Sequence, residues 1–366
     1  MSRTCFIISL YTLSVLFTVS LSAQKDNDRS GEKICGVWVH PGYFGTEKNA
    51  ALSRIEATLD EYQKAGINTL MVLVKSTSGL VYYQSQIAQR DTAWNWDFFG
   101  TFNQEAKKRN MVVHPWFCVF TEGGIYGEVR KHPDWLIRSR KSEMVGIVNP
   151  ALPEVRHYEI SLMTELARLY PVDWIHLDYI RFPCEPTENY YSFDMQTRQE
   201  FKEHAGEDPL AIKATDSGNI LWNEWISWNA KQVEIFVREL KDSMSTFGRQ
   251  IKISAAVFPD ADNAKVLIGQ DWEMWAGDNL IEMLCPMLYT NHIGFFTKYT
   301  EKAVKIGRGH SQVCVGIGIG TSHNQNTPEG MLQQIEIAKN LSADGFIFFS
   351  SSSLNQDFLK ALETIR

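Results

Sequence analysis

Asp178 closes the apolar run DWIHLDYIRFP, residues 173–183, and a chemical reading of the chain begins there. A carboxylate at the end of such a run stays ionised only with partners or water beside it. His176, Tyr179 and Arg181 are close enough in sequence to serve as partners. One reading is a structural Asp paired with Arg181. The other, adopted as the expectation, is a working carboxylate at a strand end, where α/β barrels gather their chemistry. Splitting a glycosidic bond normally uses two carboxyl groups, one to protonate the leaving oxygen and one as nucleophile or base. Glu122 and Asp260 each follow a predicted strand and are the candidates for the second role. Each also reads as an ordinary solvated loop acid. Glu185 and Glu188 fall in the loop after Asp178, whereas Glu282 starts a strand and lies at the wrong end.

Other strand-end residues suit binding. His40 offers a ring nitrogen to a sugar hydroxyl. Lys75, the pair His114 and Trp116, and Tyr289 followed by Asn291 also fall at or near strand ends. His176 sits one layer deeper and reads as a core histidine, a reading His114 shares as an alternative. The chain holds 11 Trp and 13 Tyr, and Trp38, Trp116, Tyr179 and Tyr289 lie near strand ends. An aromatic face stacks on sugar C–H groups while its polar edge bonds a hydroxyl. HExxH and other close His/Asp ligand spacings are missing, so neither a metal nor a cofactor is expected. GxSxG, GxxxxGKS/T and GxGxxG are missing too. The glycine-alternating VGIGIG, residues 315–320, reads as tight packing.

The elements that position these residues alternate strand and helix. Strands are predicted over residues 36–40, 67–75, 111–120, 173–180, 250–258, 281–289, 313–319 and 344–349. Helices are predicted over 51–65, 96–109, 154–169, 222–247, 271–276, 295–306, 328–340 and 356–365. Leu52, Ile55, Leu59 and Tyr62 show the helical spacing, and Gly66 is placed to stop that helix. Thr327 followed by Pro328 marks a helix start. Eight alternations predict a (β/α)8 TIM barrel over residues 35–366, with the long loops after strands three and four on its carboxyl face. A doubly wound sheet would carry a glycine-rich phosphate turn after strand one; His40-Pro41-Gly42-Tyr43 is not one.

Residues 1–23 read as an export signal: Arg3, an apolar run from Cys5 to Leu21, then Ser22-Ala23. The polar residues 24–34 read as a flexible segment. An uncleaved anchor is the alternative; no other stretch is long and apolar enough to span a bilayer. Five cysteines follow the signal, an odd number without CxxC, so neither zinc nor thioredoxin chemistry is suggested. Export without a disulfide scaffold predicts a bacterial periplasm or cell surface. The 366-residue chain is 44% hydrophobic, which excludes disorder, and its net charge of -7 argues against nucleic acid as a partner.

The segments GVWVH, KAGINTLMVLVKSTSGLVYYQS, AKKRNMVVHPWF, VNPALPEVRHY, VDWIHLDYIRFP and IEMLCPMLYT occur in that order. Together they resemble glycosyl-hydrolase-like family 10, from about residue 34 to residue 290; the HxDYIRFP and NPxxPEVR patterns are the most specific. The resemblance implies an exported barrel acting on bacterial glycans, including cell-wall strands stripped of peptide. It carries the strand-four acid onto Asp178 with Tyr179 and Arg181 beside it. Lys75, His114, Trp116 and Asn149 match further family positions. Trp174 replaces a common glycine at the base of that strand. A more distant likeness is to family 18 chitinases, whose leaving-group acid falls here on Ile180. What carries over is Asp178 orienting a 2-acetamido group with Tyr289 in support. The expectation is therefore a glycoside hydrolase cleaving a polysaccharide, such as an N-acetylated amino-sugar glycan. The alternative is a catalytically silent barrel that binds glycan.

Overall fold

The computed structural model describes residues 33–123, 125–184, 191–213 and 218–365. The expected export signal lies outside the described residues, as do Glu185, Glu188 and all of the 24–34 segment but its last two residues. In chain order the strands are β1 (Ile34–Val39), β2 (Thr69–Lys75), β3 (Val112–Cys118), β4 (Leu136–Arg138), β5 (Met144–Val148), β6 (Trp174–Asp178), β7 (Lys252–Val257), β8 (Met283–Leu288), β9 (Gln312–Gly318) and β10 (Gly345–Phe349). All but β4 and β5 pair in parallel and close into a barrel, in chain order around the ring. The predicted (β/α)8 architecture is the observed one.

Strand alternation divides the apolar residues into two cores. Outward residues such as Val37, Val39, Val72, Phe117, Leu177 and Ile253 pack under the helices. Inward residues such as Trp38, Met71, Trp116, Trp174, Met283 and Ile347 fill the barrel. Two glycines of the VGIGIG run make room for that filling. A Cβ at Gly316 would stand 3.2 Å from the Trp38 ring, and one at Gly318 would stand 3.1 Å from Tyr289 Cβ.

Ten helices surround the barrel among the described residues. Those that carry the argument are α1 (Lys48–Lys64), α3 (Pro153–Leu169), α4 (Met195–Ala205), α5 (Ile220–Ser245), α6 (Ala261–Ile268), α8 (Ile293–Gly307) and α9 (Pro328–Asn340). Helix α1 stops where expected, with Gly66 at φ +83°, a conformation a side chain disfavours. Helix α9 begins with Thr327 accepting from Gly330 N and Pro328 in its first turn, also as expected. Helices α4 and α6 and the antiparallel β4–β5 pair were not predicted. Helix α4 buries only Thr197 and Phe201, so its apolar period is nearly invisible, although Asp194 caps it and Gly206 ends it at φ +80°.

One irregularity matters for the site. Leu73 pairs with Trp116, but the next pair is Lys75 with Phe117, so β2 carries a bulge. The extra residue turns Lys75 from the inner face, where alternation would put it, to the face that Phe117 shares.

Candidate active site

Asp178 ends β6 at the carboxyl mouth of the barrel and is 6% exposed. Its Oδ1 accepts from the Tyr179 backbone N–H at 2.6 Å and from Arg181 Nη1 at 3.2 Å. Its Oδ2 accepts from Trp116 Nε1 at 3.2 Å. Tyr179 stands at φ +50°, a turn that brings its N–H back onto the preceding carboxylate. The Arg181 guanidinium packs over the Tyr179 ring at 4.2 Å and toward Phe258 at 5.2 Å. The two side chains of this ion pair keep 8% and 13% of their surface in contact with solvent, so the pair is not sealed.

Around Asp178 the strand ends contribute a ring of aromatic side chains. His40 meets Trp116 at 5.0 Å and Phe349 at 5.9 Å between ring centres. Phe349 meets Tyr289 at 5.2 Å and Trp38 at 5.9 Å, and Trp38 meets Tyr289 edge-on at 6.5 Å. Ser351 fastens the β1 end, its Oγ accepting from His40 N at 3.3 Å and its N–H donating to Trp38 O at 2.8 Å. Burial lowers the pKa of His40, partly offset by the Asp178 charge, so the ring is neutral at neutral pH. Burial and then Asp178 push the Tyr289 hydroxyl well above the usual phenol range, so it keeps its proton. Among the described residues the mouth thus presents one carboxylate, one guanidinium, a neutral imidazole, a phenol and apolar ring faces. Such a surface suits a sugar, with C–H groups on the rings and hydroxyls on the polar atoms.

The structure brings His40, Trp116, Asp178, Tyr179, Arg181 and Tyr289 together and sets the other expected residues apart. Lys75, on the outer face because of the bulge, is fully buried and lies 2.6 Å from Glu122 Oε1 and 3.0 Å from Glu159 Oε1 of α3. Glu122 is 1% exposed, enclosed in that cluster rather than facing the mouth. Asp260 turns outward to α8, accepting from Lys302 Nζ at 2.8 Å and from the Tyr299 hydroxyl at 3.1 Å. His114 lies in the barrel interior, stacked on Trp174 at 4.3 Å and 2.9 Å from Ser254 Oγ. Asn149 Nδ2 donates to Asp194 and Thr197, and its Oδ1 accepts from Ala151 N, so it locks the start of α4. Asn291, at the rim, joins the end of β8 to the segment after β9 through Gln325 and Asn324. His176 occupies the core as expected.

Phe349 is the mouth residue the sequence reading passed over. Counting alternation along β10 from Gly345 through Ile347 points it inward, a signal hidden by the serines that follow. No group of three His, Cys, Asp or Glu that could hold a metal occurs among the described residues, and no helix among them is long and apolar enough to cross a membrane.

Residues 33–336 match the family described as glycosyl hydrolase-like 10. The chain belongs to that family. Membership places it among the glycoside hydrolases, with a carbohydrate as substrate. It is 22% identical to glycosyl hydrolase YngK of Bacillus subtilis, over 96% of this chain and 74% of that protein. It is 28% identical to glycosyl hydrolase DigH of Escherichia coli over a stretch that covers 33% of this chain and 32% of that protein. Among solved structures, the glycoside hydrolase domain of PgaB (BpsB) from Bordetella bronchiseptica superposes with a TM-score of 0.71 at 13% identity, over 90% of this chain and 98% of that domain. The catalytic domain of a Paenibacillus polymyxa β-amylase superposes at 0.61 and 12% identity, over 91% and 97% of the two chains. These two likenesses are of fold.

Proposed function

We propose that this family member is an exported hydrolase of a bacterial polysaccharide, with Asp178 as its central catalytic carboxylate. The observation that carries the reading is the setting of Asp178: a strand-end carboxylate held by three donors and ringed by aromatic faces, with 8% of its side-chain surface reaching solvent. The names of the relatives support the reaction class. The substrate we propose is an N-acetylated amino-sugar glycan such as peptide-free peptidoglycan. Asp178 accepts the N–H of the 2-acetamido group and turns its carbonyl oxygen toward the anomeric carbon. The Tyr289 hydroxyl, still protonated, donates to that oxygen. The acetamido oxygen attacks the anomeric carbon in place of an enzyme nucleophile, the bond to the leaving oxygen breaks as that oxygen takes a proton from a water molecule, and the hydroxide so formed opens the resulting ring at the anomeric carbon.

The test is wild type against Asp178→Asn on a panel including chitin oligomers, their de-N-acetylated forms and peptide-free peptidoglycan. The expected result is release of fragments by wild type and a loss of at least about a hundredfold in the variant, or about 3 kcal/mol of barrier. Equal rates with and without the N-acetyl group overturn the acetamido role. A second reading, a silent glycan-binding barrel, draws on the engagement of Glu122 and Asp260 in contacts away from the mouth. Binding without fragment release establishes it. Export to the periplasm or cell surface is tested by fractionation and by the amino-terminal residue of the mature protein, expected near Gln24.

A further inference from the structure

Beneath the aromatic ring, four strands each contribute one residue to a hydrogen-bond chain. Trp38 Nε1 lies 3.0 Å from His176 Nε2, His176 Nδ1 lies 2.9 Å from Ser254 Oγ, and Ser254 Oγ lies 2.9 Å from His114 Nδ1. Its direction follows from donor chemistry. An indole N–H only donates, so His176 Nε2 accepts and the single proton of the neutral ring sits on Nδ1. That proton is donated to Ser254 Oγ. The serine hydroxyl donates to His114 Nδ1 at 2.9 Å, the shorter of its two contacts with an acceptor, Ile175 O standing at 3.4 Å, and this places the His114 proton on Nε2. Turning His176 to the other tautomer sets its Nε2 proton against the indole proton. Burial holds both imidazoles uncharged, with His176 lowered to about 3 and His114 well below its ordinary value.

Trp38 is 1% exposed and meets no substrate itself. It is confined by Gly316, whose missing Cβ leaves room for the indole, and by His176. Its ring edges meet Tyr289 and Phe349, both half-buried at the mouth. We propose that His176 is a positioning residue of the hydrolytic site: it fixes Trp38 and, through Trp38, the Tyr289 and Phe349 rings against which a sugar packs. The inference rests on the glycan-site reading above.

The test uses the whole protein as wild type, His176→Leu, Ser254→Ala, Trp38→Phe and the Trp38→Phe/His176→Leu pair. Two readouts are taken: KM and kcat well below each Tm, and NMR of labelled indole N–H and aromatic groups. In His176→Leu, KM rises about tenfold and kcat falls with it, since the displaced Tyr289 also supports the acetamido oxygen. Trp38→Phe, which has no N–H to satisfy, gives a similar rise, and the double variant is no worse than either single one, as expected for residues acting through one contact. The Trp38 indole resonance, identified by its loss in Trp38→Phe, shifts and loses exchange protection in His176→Leu and in Ser254→Ala. Should His176→Leu fail to fold, Ser254→Ala carries both readouts. A KM within about twofold of wild type despite a lowered Tm overturns the proposal, as do multiplicative effects in the double variant. If wild type cleaves nothing on the panel, the hydrolase reading fails by itself. The NMR then decides positioning alone: Tyr289 and Phe349 signals unmoved in His176→Leu overturn it, and displaced signals uphold it.

Discussion

The Trp116 indole N–H, on β3, donates to Oδ2 of Asp178, the last residue of β6, at 3.2 Å. The two strands pair in parallel with Trp116 opposite His176, so the bond runs diagonally up the inner face by one residue pair. The other carboxylate oxygen is held by Tyr179 N–H and Arg181. The orientation of the proposed catalytic group is therefore set by three donors from two neighbouring strand ends.

Trp116→Phe removes that donor and keeps a ring. A hydrogen bond to a charged group is worth about 1.5–3 kcal/mol. The expected outcome is a loss of roughly tenfold or more in kcat/KM with the far-UV spectrum unchanged. Activity equal to wild type would show that Arg181 and Tyr179 alone orient the carboxylate.

Lys75 lies where two buried carboxylates meet one cation. Lys75→Met strands both acids, and breaking a buried pair costs about 3–5 kcal/mol. Urea unfolding should show that loss; a change under about 1 kcal/mol contradicts it. Burial opposes the Lys75 charge, but Glu122 and Glu159 outweigh it and raise its pKa. The contribution is present below the ordinary value of 10.5 and is lost as alkali titrates the folded protein.

Glu159 behaves in the opposite sense. Burial raises its pKa well above 4.5 against the pull of Lys75, with Glu122 adding to the rise. Its folded form binds a proton that the unfolded chain releases, so it lowers stability progressively as pH rises from about 4.5. Glu159→Gln, uncharged and still able to accept from Lys75, is expected to flatten this pH dependence of stability above about pH 4.5, and an unchanged dependence contradicts it.

His114 and His176 are held uncharged by burial, while the unfolded chain takes up protons below the ordinary 6.5. Stability is therefore complete above that value and falls as pH drops toward about 3, the folded value for His176, at up to about 1.4 kcal/mol per pH unit for each ring. His114→Asn, whose Oδ1 accepts from Ser254, should remove up to one proton from that slope below pH 6.5. An unchanged slope would show that His114 is charged in the folded state.

Gly316→Ala places a methyl group 3.2 Å from the Trp38 ring and 3.1 Å from Pro286 O. The carbonyl is fixed in β8, so the indole must move. Overpacking of this kind costs about 1–3 kcal/mol. The expected outcome is a lowered Tm together with a raised KM; a lowered Tm alone would separate Trp38 from the mouth.

The barrel was legible because its signals are local. Runs of β-branched and aromatic residues at regular spacing marked every barrel strand to within about two residues of its observed ends. Alternation from Asp178 back to His176 separated mouth from core. Helix α4 was missed because an almost wholly polar helix carries no period to read. Asp260 and Glu122 were equally plausible at the mouth, since a loop residue's direction depends on what packs beside it.

By itself the sequence determined the order and parity of the strands, and with them Asp178 at an inner strand end beside Tyr179, Trp116 and His40. Strand parity is a property of the chain, so it survives folding wherever the ladder is regular. Only the tertiary structure decided which ends stay in phase. A single extra residue between Leu73 and Lys75 sends the lysine outward to Glu122 and Glu159, and helix α8 draws Asp260 away through Lys302. Both outcomes depend on neighbours distant in the chain, whose contacts exist only once the barrel has closed.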